Sequence, residues 1–149
     1  ILAGISLGAA TVMMTTGFEL PENVKAVIAD CGFTSPVDEI KHVSKEYFHL
    51  PTFPVLYIVE LLTRTVAGFS MWEYSTKDAL KTNRLPVLFI HGGDDNFVPT
   101  RMSLENYNVC TAEKEIFIAE KASHGISYLI QGDRYRELVG EFIKKHTEE

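Results

Sequence analysis

Gly4-Ile5-Ser6-Leu7-Gly8, running on into Ala9-Ala10-Thr11-Val12-Met13-Met14, governs the reading of the whole chain. The pattern is G-x-S-x-G. In a strand-to-helix turn of this kind the chain reverses sharply on the serine, which sits in strained backbone geometry. The residues two places to either side must then be nearly free of side chain, which is the reason for glycine at positions 4 and 8. Such a turn lifts the Ser6 hydroxyl clear of the sheet. It also aims the Leu7 amide, at the positive end of the new helix, toward the place where an oxyanion would form.

Outward from that turn, apolar runs alternate with helical patterns. Ile1 to Ile5 reads as the tail of a buried strand and Ser6 to Thr16 as a helix, with Gly17 as its C-cap. Lys25 to Asp30 is a short apolar run suited to a parallel strand covered on both faces. Thr34-Ser35-Pro36 opens a helix to about His49, with Pro36 at its first position and Asp38 and Glu39 in its first turn. Pro51 and Pro54 interrupt, and a second apolar helix spans about Val55 to Ala67, ended by Gly68. A short helix follows at Thr76 to Lys81. Pro86 to Ile90 is a buried strand, Thr100 to Val109 a helix and Lys114 to Ala119 another strand. A final amphipathic helix begins at Tyr128 or Asp133 and runs to His146.

Alternation from end to end predicts an open, parallel α/β sheet with flanking helices and right-handed crossovers. The stretch 33–83 is far longer than one crossover needs, so it is expected to form a helical cap-like insertion over the carboxyl edge of the sheet, where ligands bind. At 149 residues, with 46% hydrophobic and 23% charged residues, the chain can build one core of ordinary composition. A net charge of −6 without a Lys/Arg cluster argues against nucleic acid and against an anionic membrane surface. The apolar run Phe53 to Phe69 is broken by Glu60 and Arg64 and is too short and charged for a membrane span. The two cysteines, Cys31 and Cys110, form no C-x-x-C and read as buried free thiols.

A nucleophilic serine needs a base for its proton and an acid to orient that base. Both must come from loops at the carboxyl ends of strands, as Ser6 does. After the Pro86–Ile90 strand comes His91-Gly92-Gly93-Asp94-Asp95-Asn96-Phe97-Val98-Pro99, which offers Asp94 and Asp95 as the acid. After the Lys114–Ala119 strand comes Ala122-Ser123-His124-Gly125-Ile126-Ser127, which offers His124 as the base. His91 ends a strand and reads as a packed, hydrogen-bonded side chain. His42 and His49, seven apart with Glu46 nearby, read as polar surface on one helix rather than a metal site. His146 falls in a frayed tail. Tyr47, Phe48, Phe53, Tyr57, Phe69, Trp72 and Tyr74 either line a substrate pocket or pack the cap on the sheet.

On GISLGAA, FIHGGDDNFVP and ASHGIS, each after its strand and in the order Ser…Asp…His, the chain resembles an α/β-hydrolase-fold serine hydrolase. It is most similar to the bacterial peptidase/esterase-like branch, which includes prolyl-oligopeptidase-type, BEM46-like and cell-surface hydrolases. The resemblance spans the chain and implies the C-terminal half of that fold, from the stub of the fifth strand onward. A first residue that is Ile rather than Met fits the C-terminal part of a longer protein. The family's acid loop reads H-G-x-x-D-x-x-V-P, which places the acid at Asp95. Its histidine precedes a glycine, which fits His124.

The resemblance implies a triad of Ser6, His124 and Asp95, with Leu7 N–H as an oxyanion donor. The bonds cleaved would be carboxylic ester, thioester or amide, in a small-molecule or short-peptide acyl substrate, with no metal or organic cofactor. A serine peptidase on short peptides, or a non-catalytic binding module on the same fold, are the alternatives. The family's second oxyanion amide comes from a loop after the third strand, outside the matched portion. Losing one such donor costs ~10²–10³ in rate, so this portion alone is expected to be a weak catalyst. An exposed strand at Ile1–Ile5 or Lys25–Asp30 is expected to promote self-association or to lie against an N-terminal portion of the same protein. The resemblance allows a cytoplasmic location, or a cell-surface one through the N-terminal anchor of some related hydrolases.

Overall fold

A computed structural model describes residues 1–147. Its centre is a parallel four-stranded sheet in the order β1-β2-β3-β4, with β1 at Leu2–Ile5, β2 at Val27–Asp30, β3 at Val87–Gly92 and β4 at Lys114–Ala119. The register aligns Ile5 with Asp30 and Asp30 with Ile90, and Gly92 with Ala119. All four carboxyl ends therefore open on one edge, and the segments that follow Ile5, Asp30, Gly92 and Ala119 emerge side by side. The α/β architecture expected from the alternation is present.

The sheet is covered on both faces, which is why β2 and β3 are apolar without alternation. Val27, Ala29, Val87 and Phe89 pack on one side against Ala9 and Met13 of α1 (Leu7–Thr15) and Leu80 of α4 (Thr76–Thr82). Ala26, Ile28, Leu88 and Ile90 pack on the other side against Phe142 of α7 (Gly132–Thr147). Tyr135, Leu138, Val139 and Phe142 form one stripe of α7 at helical spacing, so the burial pattern follows from the amphipathic sequence. Full burial of a side chain the size of Phe142 contributes ~2–3 kcal/mol. His146 does not fray: its ring packs edge-on against Phe142 at 4.6 Å, because α7 continues through Thr147.

Between β2 and β3 lie α2 (Pro36–Glu46), α3 (Thr52–Leu62), a π-helical turn (Thr63–Ala67), a 3₁₀ turn (Met71–Glu73) and α4. Ser35 caps α2 by accepting from the Asp38 amide at 3.0 Å, and Pro36 takes the first position, as its sequence predicts. The helix ends at Glu46 rather than near His49, which adopts a φ of 52° outside it. His42 and His49 therefore do not share a helix face. Gly68, at φ 75°, terminates the π turn in the left-handed region open to glycine. The Glu60 carboxylate of α3 accepts from Ser70 Oγ, Arg64 Nε and the Met71 amide, tying the 3₁₀ turn back to the helix. Thr76 donates its hydroxyl among Asn106 Oδ1 (2.6 Å) and the Phe33 and Thr34 carbonyls, which joins α4, α5 (Thr100–Val109) and the segment after β2. α4 packs against α1 and α5 in the layer that covers the sheet. Among the described residues no single helix is long and apolar enough to cross a membrane.

Candidate active site

Ser6 stands between β1 and α1 at φ 54° and ψ −116°, a backbone conformation that costs about 1–3 kcal/mol for a residue with a side chain. Its amide donates to the Asp30 carbonyl at 2.8 Å, which fixes the turn against β2. A Cβ on Gly4 would lie 2.2 Å from the Gly8 carbonyl carbon, so Gly4 is required by close approach. Gly8 differs from the expectation: a Cβ there meets nothing within 4 Å. Its backbone is what crowds Gly4, not its own missing side chain. Leu7 is the first residue of α1, so its amide is among those with no intrahelical acceptor.

The acid loop and the histidine loop are laced together. Gly93 N donates to Ala119 O at 2.8 Å, and Asp94 N to Ala122 O at 3.0 Å. Gly125, directly after the histidine, takes a φ of 69°. That lacing brings His124 between Ser6 and Asp95. His124 Nδ1 donates to Asp95 Oδ2 at 2.8 Å, and Nε2 lies 2.8 Å from Ser6 Oγ, placed to accept its proton. Asp94, by contrast, is solvent-exposed and Asp95 buried.

Asp95 is held by four partners. Oδ1 accepts from the Phe97 and Val98 amides, each at 3.0 Å. Oδ2 accepts from His124 and lies 3.2 Å from His91 Nε2. Burial would raise the Asp95 carboxyl. Hydrogen bonds from His91, His124 and the Val98 amide outweigh it and hold the group below the usual carboxylate range. His91 is fully buried, as the sequence suggests. Its Nδ1 accepts from Ser103 Oγ at 2.6 Å while its Nε2–H is shared between Val98 O (2.9 Å) and Asp95.

Several residues around the site make contacts that the sequence does not signal. Asp30 ends β2 with its carboxylate buried, accepting from Ser127 Oγ (3.3 Å) and Tyr135 OH (3.1 Å). It thereby ties the segment after His124 and helix α7 to the sheet, and burial raises its carboxyl above the ordinary value. The Cys31 sulfur lies within 4.8 Å of a His124 ring nitrogen and an Asp95 oxygen. Burial, reinforced by the Asp30 charge, pushes the Cys31 thiol up to about 12, so it stays protonated and is no rival nucleophile. His42 Nε2 donates to the Asn96 carbonyl at 2.8 Å, so this histidine anchors α2 to the acid loop instead of idling on a polar face.

The insertion's aromatic residues leave much of their surface in solvent, from 39% at Phe69 to 71% at Phe53, so packing the cap onto the sheet is not their main role. Phe97 links them to the site: its ring lies 5.0 Å from the His124 ring and 5.6 Å from Tyr47.

No protein-family model matches the chain. It is 29% identical over 140 residues to the uncharacterized protein YqkD of Bacillus subtilis, covering 94% of this chain and 46% of that one. It is 27% identical over 148 residues to protein bem46 of Schizosaccharomyces pombe, covering 98% and 44%. The chain thus spans slightly under half the length of these curated relatives. Among solved structures it superposes on the acylaminoacyl peptidase of Pyrococcus horikoshii with a TM-score of 0.70 at 21% identity, covering 99% of this chain and 24% of that one. It also superposes on the esterase domain of a Rhodothermus marinus protein with a TM-score of 0.67 at 20% identity, covering 97% and 59%. The fold is that of the α/β-hydrolases, and the similarity to bem46 supports the BEM46-like branch.

Proposed function

We propose that this chain carries the catalytic residues of a serine hydrolase that cleaves a carboxylic ester, thioester or amide through an acyl-enzyme. The observation that supports this reading is the pair of 2.8 Å contacts made by one imidazole, Nε2 to Ser6 Oγ and Nδ1 to Asp95 Oδ2.

In this reading Ser6 Oγ attacks the carbonyl carbon as its proton passes to His124 Nε2. Asp95 keeps the Nδ1–H tautomer in place and stabilises the imidazolium that forms. The Leu7 amide, at the N-terminus of α1, donates to the developing oxyanion. Collapse of the tetrahedral intermediate expels the alcohol, thiol or amine, which takes the proton from His124 Nε2. Water, deprotonated by the same nitrogen, then attacks the acyl-Ser6 ester and releases the acid. Strain at Ser6 and the hydrogen bonds around Asp95 hold this arrangement before substrate arrives.

The test is intact mass after exposure to a fluorophosphonate probe. One adduct on Ser6, lost in Ser6→Ala and in His124→Ala, is the expected result. Unlabelled wild-type protein, or undiminished ester turnover by Ser6→Ala, overturns the reading.

A further inference from the structure

Glu113 stands immediately before β4 and Glu115 is the second residue of that strand, so their side chains lie on one face of it. Phe117, next on the same face, packs in the cluster built around Phe142 of α7, which places both carboxylates on the α7 side of the sheet. α7 brings Lys145 and His146 to them from its last turn. Lys145 Nζ lies 2.7 Å from Glu113 Oε1 and 2.9 Å from Glu115 Oε1, so the two carboxylates converge on one point that a cation fills. The His146 side chain is nine-tenths buried, its ring packed on Phe142. Its Nε2 lies 4.0 Å from Glu113 Oε1 and has no hydrogen-bond partner among the described residues.

Glu113, Glu115 and His146 thus offer two carboxylate oxygens and one imidazole nitrogen, all within 4.8 Å of one another. Donor atoms around a tetrahedral Zn²⁺ stand roughly 3.4 Å apart. Both glutamates are partly in solvent, so they have the freedom to close that difference. The Lys145 ammonium satisfies the carboxylates and leaves the imidazole nitrogen without a partner; a metal ion satisfies all three. Lys145 is half exposed on a flexible stem, and an ion pair so exposed is weak, so the exchange costs little. The negative end of the α7 dipole adds to the attraction for a cation. We propose that Glu113, Glu115 and His146 bind a divalent metal ion of the zinc class, which takes the place of the Lys145 ammonium and clamps the end of α7 to the start of β4.

This site lies where β4 begins, and the loop that carries His124 leaves the strand at its other end. It is therefore at the edge of the sheet opposite to Ser6, Asp95 and His124. The ion acts on the docking of α7, whose Phe142 is central to one side of the core, and so on stability rather than on chemistry at Ser6.

The experiment titrates the purified protein and its variants with Zn²⁺ by isothermal calorimetry, with thermal melts and circular dichroism alongside. The wild type is expected to bind with a micromolar Kd, and its Tm to rise by about 8 °C at about 100 times Kd. His146→Ala should weaken binding by about tenfold or more, and so should Glu113→Gln combined with Glu115→Gln, which leaves the ring of His146 on Phe142. Lys145→Ala should tighten binding by about fivefold, because its ammonium no longer competes for the carboxylates. A wild type that binds no Zn²⁺ overturns the proposal. So does an affinity that His146→Ala and the paired glutamate variant leave intact, which sends the ion to another site. An affinity that Lys145→Ala does not raise also overturns it, since metal and ammonium then do not share the carboxylates. If His146→Ala fails to fold, the paired glutamate variant, changed only at partly exposed side chains, decides.

Discussion

Replacing Glu39 by Gln should remove a pH dependence of stability that the structure places between about pH 5 and 8. In the unfolded chain this carboxyl titrates at the ordinary 4.5, and in the folded chain burial and the Asp95 charge raise it to about 7. Between those values the folded state keeps a proton that the unfolded state has released. Stability therefore falls as pH rises through the interval, the reverse of what a salt-bridged carboxylate does. At ~1.36 kcal/mol per pH unit, the gap between 4.5 and about 7 limits the penalty to ~3 kcal/mol, and with solvent screening of a partly buried group ~2 kcal/mol of it develops between pH 5 and 8. The charges that act on Glu39 are those of Asp95, which is itself kept below the usual carboxylate value, and Arg101. Glutamine preserves the shape and cannot ionise. The wild-type and Glu39→Gln stabilities should diverge in favour of the variant by ~2 kcal/mol from pH 5 to 8, or ~6 °C in Tm for a chain of this size. Urea unfolding at half-unit pH steps, with thermal melts as a check, reads this directly and needs no substrate. Two parallel curves would show that Glu39 is ordinary and solvated, and would refute the reasoning.

Asp95→Asn should lower kcat for ester hydrolysis by ~10³–10⁴, since the amide no longer holds the His124 tautomer, while Asp94→Asn, at an exposed neighbour, should stay within about twofold; steady-state kinetics compares them. Gly4→Ala should destabilise strongly because its Cβ would sit 2.2 Å from the Gly8 backbone, whereas Gly8→Ala, in open space on a helix, should be neutral or stabilising by up to ~1 kcal/mol, both read from urea midpoints. Cys31 and Cys110, both buried, should resist a thiol reagent in the native protein and react fully once it is unfolded. β1 stands at the edge of the sheet, so the chain is expected to self-associate through it. Sedimentation checks this, and a monomer at all concentrations would contradict it.

Much of the fold was legible because local chemistry and global architecture agree. The apolar runs at Val27–Asp30 and Val87–Ile90 fit strands sandwiched between layers, and the amphipathic pattern of the last segment fits the helix whose stripe Tyr135, Leu138, Val139, Phe142 packs on the sheet. Ser35-Pro36 announced its own helix start. Helix ends were less legible. α2 stops at Glu46, earlier than expected, and nothing in the sequence marks the π turn at Thr63–Ala67, whereas α3 takes helical backbone only after Phe53 (φ −98°, ψ 131°), close to the expected start at Val55.

The sequence by itself determined the order of chemistry along the chain: a serine in a G-x-S-x-G turn, an acid after one strand, a histidine after the next. It could do so because strand ends and turn residues are local signals, and a parallel sheet brings successive strand ends to one edge. The acid-loop resemblance pointed to Asp95, and tertiary structure supplied the reason that it, and not Asp94, turns inward. That choice rests on the Phe97 and Val98 amides and the buried His91, and no spacing rule reports them. It also decided that Asp30 ties together three elements, that His42 holds α2 to the acid loop, and that the two Glu39 oxygens are left without donors. These facts depend on contacts between residues far apart in the chain, where burial sets the value of each polar group and the identity of the residue does not.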